Sequence, residues 1–106
     1  MSEGFTPGPW TYSRSDEFRD VRFYIAQADG APYTPNYSDV ATLVAETCIG
    51  ERAWIQEANA RLISAAPDLL EQLEETHAAL CFTPDYIGSA RYNKNAEAIL
   101  KARGTA

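Results

Sequence analysis

Histidine occurs once in this chain and cysteine twice. The single imidazole, His77, and the thiols of Cys48 and Cys81, 33 residues apart, offer none of the close Cys–Cys or Cys–His spacings from which metal sites are built. No metal and no other cofactor is expected. Both cysteines read as small, mostly buried hydrophobes in a reducing compartment, the alternative being one disulfide in a secreted protein. The glycines, Gly4, Gly8, Gly30, Gly50, Gly88 and Gly104, are scattered, so no glycine loop cradles a phosphate. No Gly-x-Ser-x-Gly elbow presents a nucleophile. A catalytic triad would have to use His77, which sits between Thr76 and Ala78 at the flank of a leucine stripe, and a satisfied or solvent-facing histidine is the simpler reading. Pairing His77 with either cysteine is no better supported. The chain is therefore not expected to be an enzyme.

Long apolar runs are also missing. None approaches the ~20 residues of a membrane span. Met1-Ser2-Glu3-Gly4-Phe5 has neither the basic region nor the apolar stretch of a signal peptide. A soluble, cytoplasmic protein without membrane contact is expected.

What is abundant is negative charge. Fifteen acids and nine bases give a net charge of −6. Residues 1–85 carry a net −9, and residues 86–106 a net +3. Such a body repels a phosphate backbone, which disfavours direct binding to duplex nucleic acid. It attracts a basic protein surface, including one built to hold nucleic acid.

At 106 residues, 45% of them hydrophobic, the chain suits one domain, 1–106, with a small core. Thr6-Pro7-Gly8-Pro9 is an extended or turning lead-in, since two prolines exclude helix and Gly8 lets the chain bend. Trp10 to Arg14 alternates large and small residues and reads as a short edge strand, with Trp10 as a core anchor. Ser15 to Asp20 is a charged turn. Val21 to Ala26 is the clearest strand, with Val21, Phe23 and Ile25 on one face and Arg22 and Tyr24 on the other. Val40 to Glu46, rich in β-branched residues, is the next. A three-stranded antiparallel meander follows.

Between the last two strands lie thirteen residues, Gln27 to Asp39, although Asp29-Gly30 would close a tight hairpin. Tyr33 and Tyr37 on this connection suit recognition of a partner, because a ring gives contact area at small entropic cost. The plainer reading is an Ω-like loop whose tyrosines pack on its own prolines.

The remainder reads as helices over about residues 51–65, 67–80 and 90–103. In helix one, Trp54, Ile55, Ala58, Leu62 and Ala65 share a face that is expected to be the buried one. Glu57 and Arg61 stand at i,i+4 in the order that favours an ion pair. Pro67 suits the first position of helix two, and Asp68 beside it complements the helix dipole. Leu69, Leu70, Leu73 and Leu80 are expected to form a buried stripe. Ser89 is a natural N-cap for helix three, whose narrow apolar face is Tyr92, Ala96, Ile99 and Leu100, and Gly104 a natural stop. The fold class is thus α+β: a small three-stranded antiparallel sheet packed against two or three C-terminal helices.

Two surfaces stand out. Asp68, Glu71 and Glu75 line one face of helix two, where Glu71 and Glu75 repel each other by only about 0.2–0.5 kcal/mol, a cost that a solvated face bears without any function. Together with Tyr33 and Tyr37 they are the candidate partner-binding residues. The bases Arg91, Lys94, Lys101 and Arg103 of helix three could pair with the acidic body, within the molecule or between copies of a homo-oligomer. They could equally hold an anionic ligand such as a nucleotide signal, with the surplus aromatics stacking on its base.

Thr6-Pro7-Gly8-Pro9-Trp10, the run from Glu57-Ala58-Asn59-Ala60-Arg61 through Ala66-Pro67-Asp68-Leu69-Leu70, and the ending Asn95 to Gly104 together resemble small proteins of uncharacterised function encoded by tailed phages and prophages. The likeness covers about half the chain. It implies a small sheet on helices and a phage or integrated element as the source. Shorter members join their strands by a tight Asp-Gly turn, which this chain replaces by inserting Ala31 to Ser38. The resemblance further implies a non-enzymatic protein that binds a host or defence-system complex stoichiometrically, as anti-CRISPR inhibitors do. Sequestering a nucleotide signal and a structural or virion-assembly role are the alternatives.

Overall fold

A computed structural model describes residues 5–16, 21–28, 43–47 and 50–104. Tyr33, Tyr37 and Cys48 lie outside the described residues, as does most of the long connection that carries the two tyrosines. The elements run β1 (Trp10–Ser15), β2 (Arg22–Gln27), β3 (Leu43–Glu46), α1 (Ala53–Ser64), α2 (Ala66–Leu80) and α3 (Ala90–Arg103). A three-stranded antiparallel sheet followed by three helices is the α+β arrangement the sequence implies. Two compact units are formed, residues 4–67 and 68–106.

In the first unit the strands lie in the order β1-β2-β3 with both pairings antiparallel. Tyr12 stands opposite Ile25 and Trp10 opposite Gln27. Residues opposite each other share a face and alternate residues of a strand share it too, so Trp10, Tyr12, Phe23 and Ile25 project to the same side. Phe23 and Ile25 are completely buried there, joined by Ala60 of α1, while Trp10, Tyr12, Val21, Val44, Ala45 and Ile63 pack around them. Against β3, Ile25 pairs with Ala45 and Ala26 with Leu43, which leaves Val44 as the extra residue of a bulge.

α1 covers β1 and β2, but not with the face that periodicity selects. Trp54 is 66% and Leu62 65% exposed, and Ala58 is exposed with them. Ile55 and Ala65 are half-buried. The residues turned to the sheet are Gln56, 1% exposed, and Ala60, 0%. Two physical causes rotate the helix. Ala60 has only a methyl, so α1 can come close to Phe23 and Ile25. Gln56 closes a buried polar chain. The Phe23 N–H donates to Thr47 Oγ1 (3.0 Å), whose hydroxyl donates to Gln56 Oε1 (2.6 Å), and Gln56 Nε2 donates to the Glu51 carbonyl (2.8 Å). The Thr47 N–H in turn donates to the Phe23 carbonyl (2.9 Å). Each polar group of this Phe23–Thr47–Gln56–Glu51 relay has a partner, which is what makes the relay tolerable in a core.

The lead-in is tied to the far end of the same unit. The Trp10 indole N–H donates to the Thr6 carbonyl (3.0 Å) and Gln27 Nε2 to the Pro7 carbonyl (2.8 Å). The Ala28 N–H donates to the Pro9 carbonyl (2.9 Å). The Gly8–Pro9 peptide is cis. Gly8 lies so close to Pro67 that a Cβ placed on it would stand 2.8 Å from Pro67 Cβ. Pro67 itself occupies the second position of α2 rather than the first, because α2 starts at Ala66. Its missing N–H is still one of the four that a helix start leaves unpaired.

In the second unit, α2 and α3 meet through side chains and run antiparallel. Glu74 reaches Arg103 near the end of α3, whereas His77, one turn later in α2, meets Tyr92 near its start. The expected leucine stripe is not buried. Leu69 and Leu80 are exposed, Leu70 and Leu73 half-buried, and no residue of α2 is fully buried. A single partner helix covers a narrow line, and that line is centred on Leu70, Glu74 and His77, about 100° around the axis from Leu69. On α3 the corresponding half-buried line is Tyr92, Asn95, Ala96, Ile99 and Arg103, so Leu100 falls outside it and is exposed. The ends of α3 follow local rules. Ser89 Oγ accepts from the Tyr92 N–H (3.1 Å), and Gly104 stops the helix at φ 75°. Among the described residues, no helix is long and apolar enough to cross a membrane.

Candidate functional site

Asp68, Glu71 and Glu75 stand at i, i+3 and i+7 of α2. At about 100° per residue they fall within about 60° of one another, and all three are exposed. Among the described residues no ion pair involves any of them. The face is therefore a strip of carboxylates with no internal counter-charge.

Glu74, one position from Glu75, points elsewhere. Arg103 grips its carboxylate with two hydrogen bonds, Nε to Oε2 (2.9 Å) and Nη2 to Oε1 (2.7 Å). The hydrogen bond from Arg103 holds the Glu74 carboxyl below its ordinary value of 4.5, aided by the positive charge of Arg103 and opposed by partial desolvation. A depressed carboxyl pKa contributes stability that is present above the ordinary value and lost as pH falls through the folded-state value. The second unit is thus expected to loosen progressively on acidification below about pH 4.5. Glu74→Gln is expected to cost about 1 kcal/mol at pH 7, the upper end for a partly exposed pair. It is also expected to abolish this part of the acid dependence. Thermal melts followed by circular dichroism at pH 7 and pH 3 check both, and an equal acid loss in wild type and variant would exclude the pair as its cause.

The four bases of α3 are not gathered in one place. Lys94 and Lys101 share an exposed face, with Arg91 about 60–80° away around the axis. Glu97 lies within about 60° of both lysines. Arg103 is on the opposite side, engaged by Glu74. An anion held by all four would need Arg103 released from its carboxylate.

Tyr86, in the α2–α3 loop, carries a role that sequence reasoning did not assign. It is 7% exposed. Its hydroxyl lies 2.5 Å from His77 Nδ1 and accepts from Asn95 Nδ2 (2.9 Å). The rings of His77, Tyr86 and Tyr92 stand 4.9–5.5 Å apart, centroid to centroid. The loop closes on itself through Ser89 Oγ, which donates to the Tyr86 carbonyl (2.6 Å). The one histidine of the chain is thus built into the joint between two helices. A polar-tipped aromatic midway between two helices is the only sequence signal for such a plug, and it is a weak one. Among the described residues, no group of three or more His, Cys, Asp and Glu side chains is placed to hold a metal ion.

No curated protein and no solved structure matches this chain. Over residues 1–106 it matches the family described as Salmonella phage P22 protein Y8K6, and it belongs to that family of phage proteins.

Proposed function

We propose that this phage-family protein is a non-enzymatic accessory factor that binds a basic surface of a host protein complex, in the manner of an inhibitor of bacterial defence. The observation that carries the reading is the unneutralised strip of Asp68, Glu71 and Glu75. Three exposed carboxylates on one helix face raise the local negative potential and steer a basic partner into contact. The fixed pairing of Glu74 with Arg103 supports the same reading, since it anchors the helix that displays the strip without using any of its three carboxylates. The strip offers the kind of negative charge that a surface built to hold nucleic acid accepts.

The test uses the whole chain immobilised against a lysate of a bacterial host. The Glu71→Lys/Glu75→Lys variant is expected to lose at least ten-fold of the captured partner, with capture by the wild type falling as salt is raised. Capture that is unchanged by the charge reversal would remove this face from consideration.

A further inference from the structure

α1 shows solvent its most apolar side. Trp54, Ala58 and Leu62, at i, i+4 and i+8, form one exposed stripe, while Gln56 is turned into the core. A tryptophan and a leucine each two-thirds exposed on one helix face, with a glutamine buried behind them, is the reverse of what a lone surface helix gains from burial. The stripe also has an internal symmetry. Ala58 is its centre, and Trp54 and Leu62 stand four residues to either side.

We propose that this stripe is a self-association face, on which α1 of one copy pairs antiparallel with α1 of a second copy about a two-fold axis at Ala58. The occupant is set by three complementarities. Trp54 of each copy meets Leu62 of the other, so all four large residues are covered. Ala58 meets its own counterpart, and two methyl groups at the crossing let the helix axes approach to about 8 Å. Glu57 and Arg61 line the same edge of the stripe, one turn apart. Antiparallel pairing brings Glu57 of one copy beside Arg61 of the other at both ends, continuing the 3.7 Å ion pair each already makes within its own chain. A two-fold contact of this kind is isologous and closes on itself, giving a dimer and no larger polymer. A twelve-residue helix buries less than a standard-size interface, so the dimer is a weak one that forms well above 1 µM. This inference does not rest on the proposed function, because α1 and the carboxylate strip of α2 are different surfaces.

Sedimentation equilibrium of the whole chain from 1 µM to 1 mM is the test. The weight-average mass is expected to rise from 11.7 kDa toward twice that value. Trp54→Glu and Leu62→Glu are each expected to weaken dimerisation at least ten-fold. Both residues are exposed, so the circular dichroism spectrum and the melting temperature at 1 µM should not change. Arg61→Glu is expected to weaken the dimer, and Arg61→Glu combined with Glu57→Arg to restore most of it, because the swapped pair is again complementary across the axis. A wild type that stays monomeric at 1 mM overturns the proposal. So does a dimer that survives both Trp54→Glu and Leu62→Glu, and so does a double charge swap as weak as the single one.

Discussion

Replacing Gln56 with alanine is expected to lower the stability of the sheet–α1 unit by about 3 kcal/mol, a large share of what a small domain possesses. Gln56 is 1% exposed. Its removal leaves the Thr47 hydroxyl with no acceptor inside the core, and an orphaned buried polar group costs about 1–3 kcal/mol. It also empties the space of one methylene, worth about 0.8 kcal/mol of burial, and of the carboxamide. The Glu51 carbonyl is a lesser loss, because Glu51 is exposed and water can replace the amide. Thr47→Val is expected to cost somewhat less, since it unpairs the Phe23 N–H and the Gln56 amide oxygen but leaves no cavity. The two changes should not add. With Gln56→Ala in place, Thr47→Val removes a hydroxyl that has already lost its acceptor and keeps only the Phe23 N–H, so the double variant should be more stable than the sum by about 1 kcal/mol, of the order measured for contacting pairs. Urea denaturation followed by far-ultraviolet circular dichroism supplies all the values. The matched control is Trp54→Ala at a concentration of 1 µM, expected to fall within about 0.5 kcal/mol of wild type, as exposed positions do. If Trp54→Ala proves the more costly of the two, α1 faces the sheet with the side that periodicity chose and the Thr47–Gln56 link is incidental.

That control marks where the sequence was readable. β2 was legible because Phe23 and Ile25 alternate with polar neighbours, and alternation alone sets a strand's buried face. The ends of α3 were legible because Ser89 and Gly104 act within one turn of themselves. The carboxylate strip was legible because any helix through residues 68–75 must bring Asp68, Glu71 and Glu75 together, whatever packs on it. α1 was misread because a hydrophobic stripe reports where apolar atoms lie around the axis, not which side meets the sheet. The deciding partner of Gln56 is Thr47, nine residues back and beyond the helix, and a buried glutamine carries no periodic signature. Arg103 was open to two readings, a pair with the acidic body or part of an anion site. Its partner is Glu74, 29 residues earlier, and only the folded hairpin brings the two together. The plug at Tyr86 depends on His77 and Asn95, each nine residues away on a different helix. The Tyr33 and Tyr37 surface falls outside the described residues, so the carboxylate strip alone carries the functional reading.

Gly8→Ala is expected to cost about 1–3 kcal/mol, the range for forcing an extra methyl into a filled site. The added Cβ would lie 2.8 Å from Pro67 Cβ and 3.2 Å from Pro67 Cγ. A flexible neighbour could swing aside at little expense. A pyrrolidine ring cannot, since it is closed onto its own backbone, so relief requires the lead-in to back away from the start of α2. That movement strains the hydrogen bonds holding the lead-in in place, from Trp10 to Thr6 and from Gln27 to Pro7. The contact joins the Thr6–Trp10 lead-in to the helix–proline–helix run. A glycine between two prolines, and a proline where one helix gives way to the next, thus have a shared packing reason. The coupling can be isolated by a double-mutant cycle with Pro67→Gly, which removes both ring carbons that the new methyl meets. Pro67→Gly alone should destabilise, because glycine at a helix start brings back the backbone freedom that proline removes. In the Gly8→Ala background its cost should shrink by about 1 kcal/mol, since the clash disappears with the ring. Strictly additive effects, or a Gly8→Ala variant as stable as wild type, would mean that the two stretches lie beside each other without depending on each other.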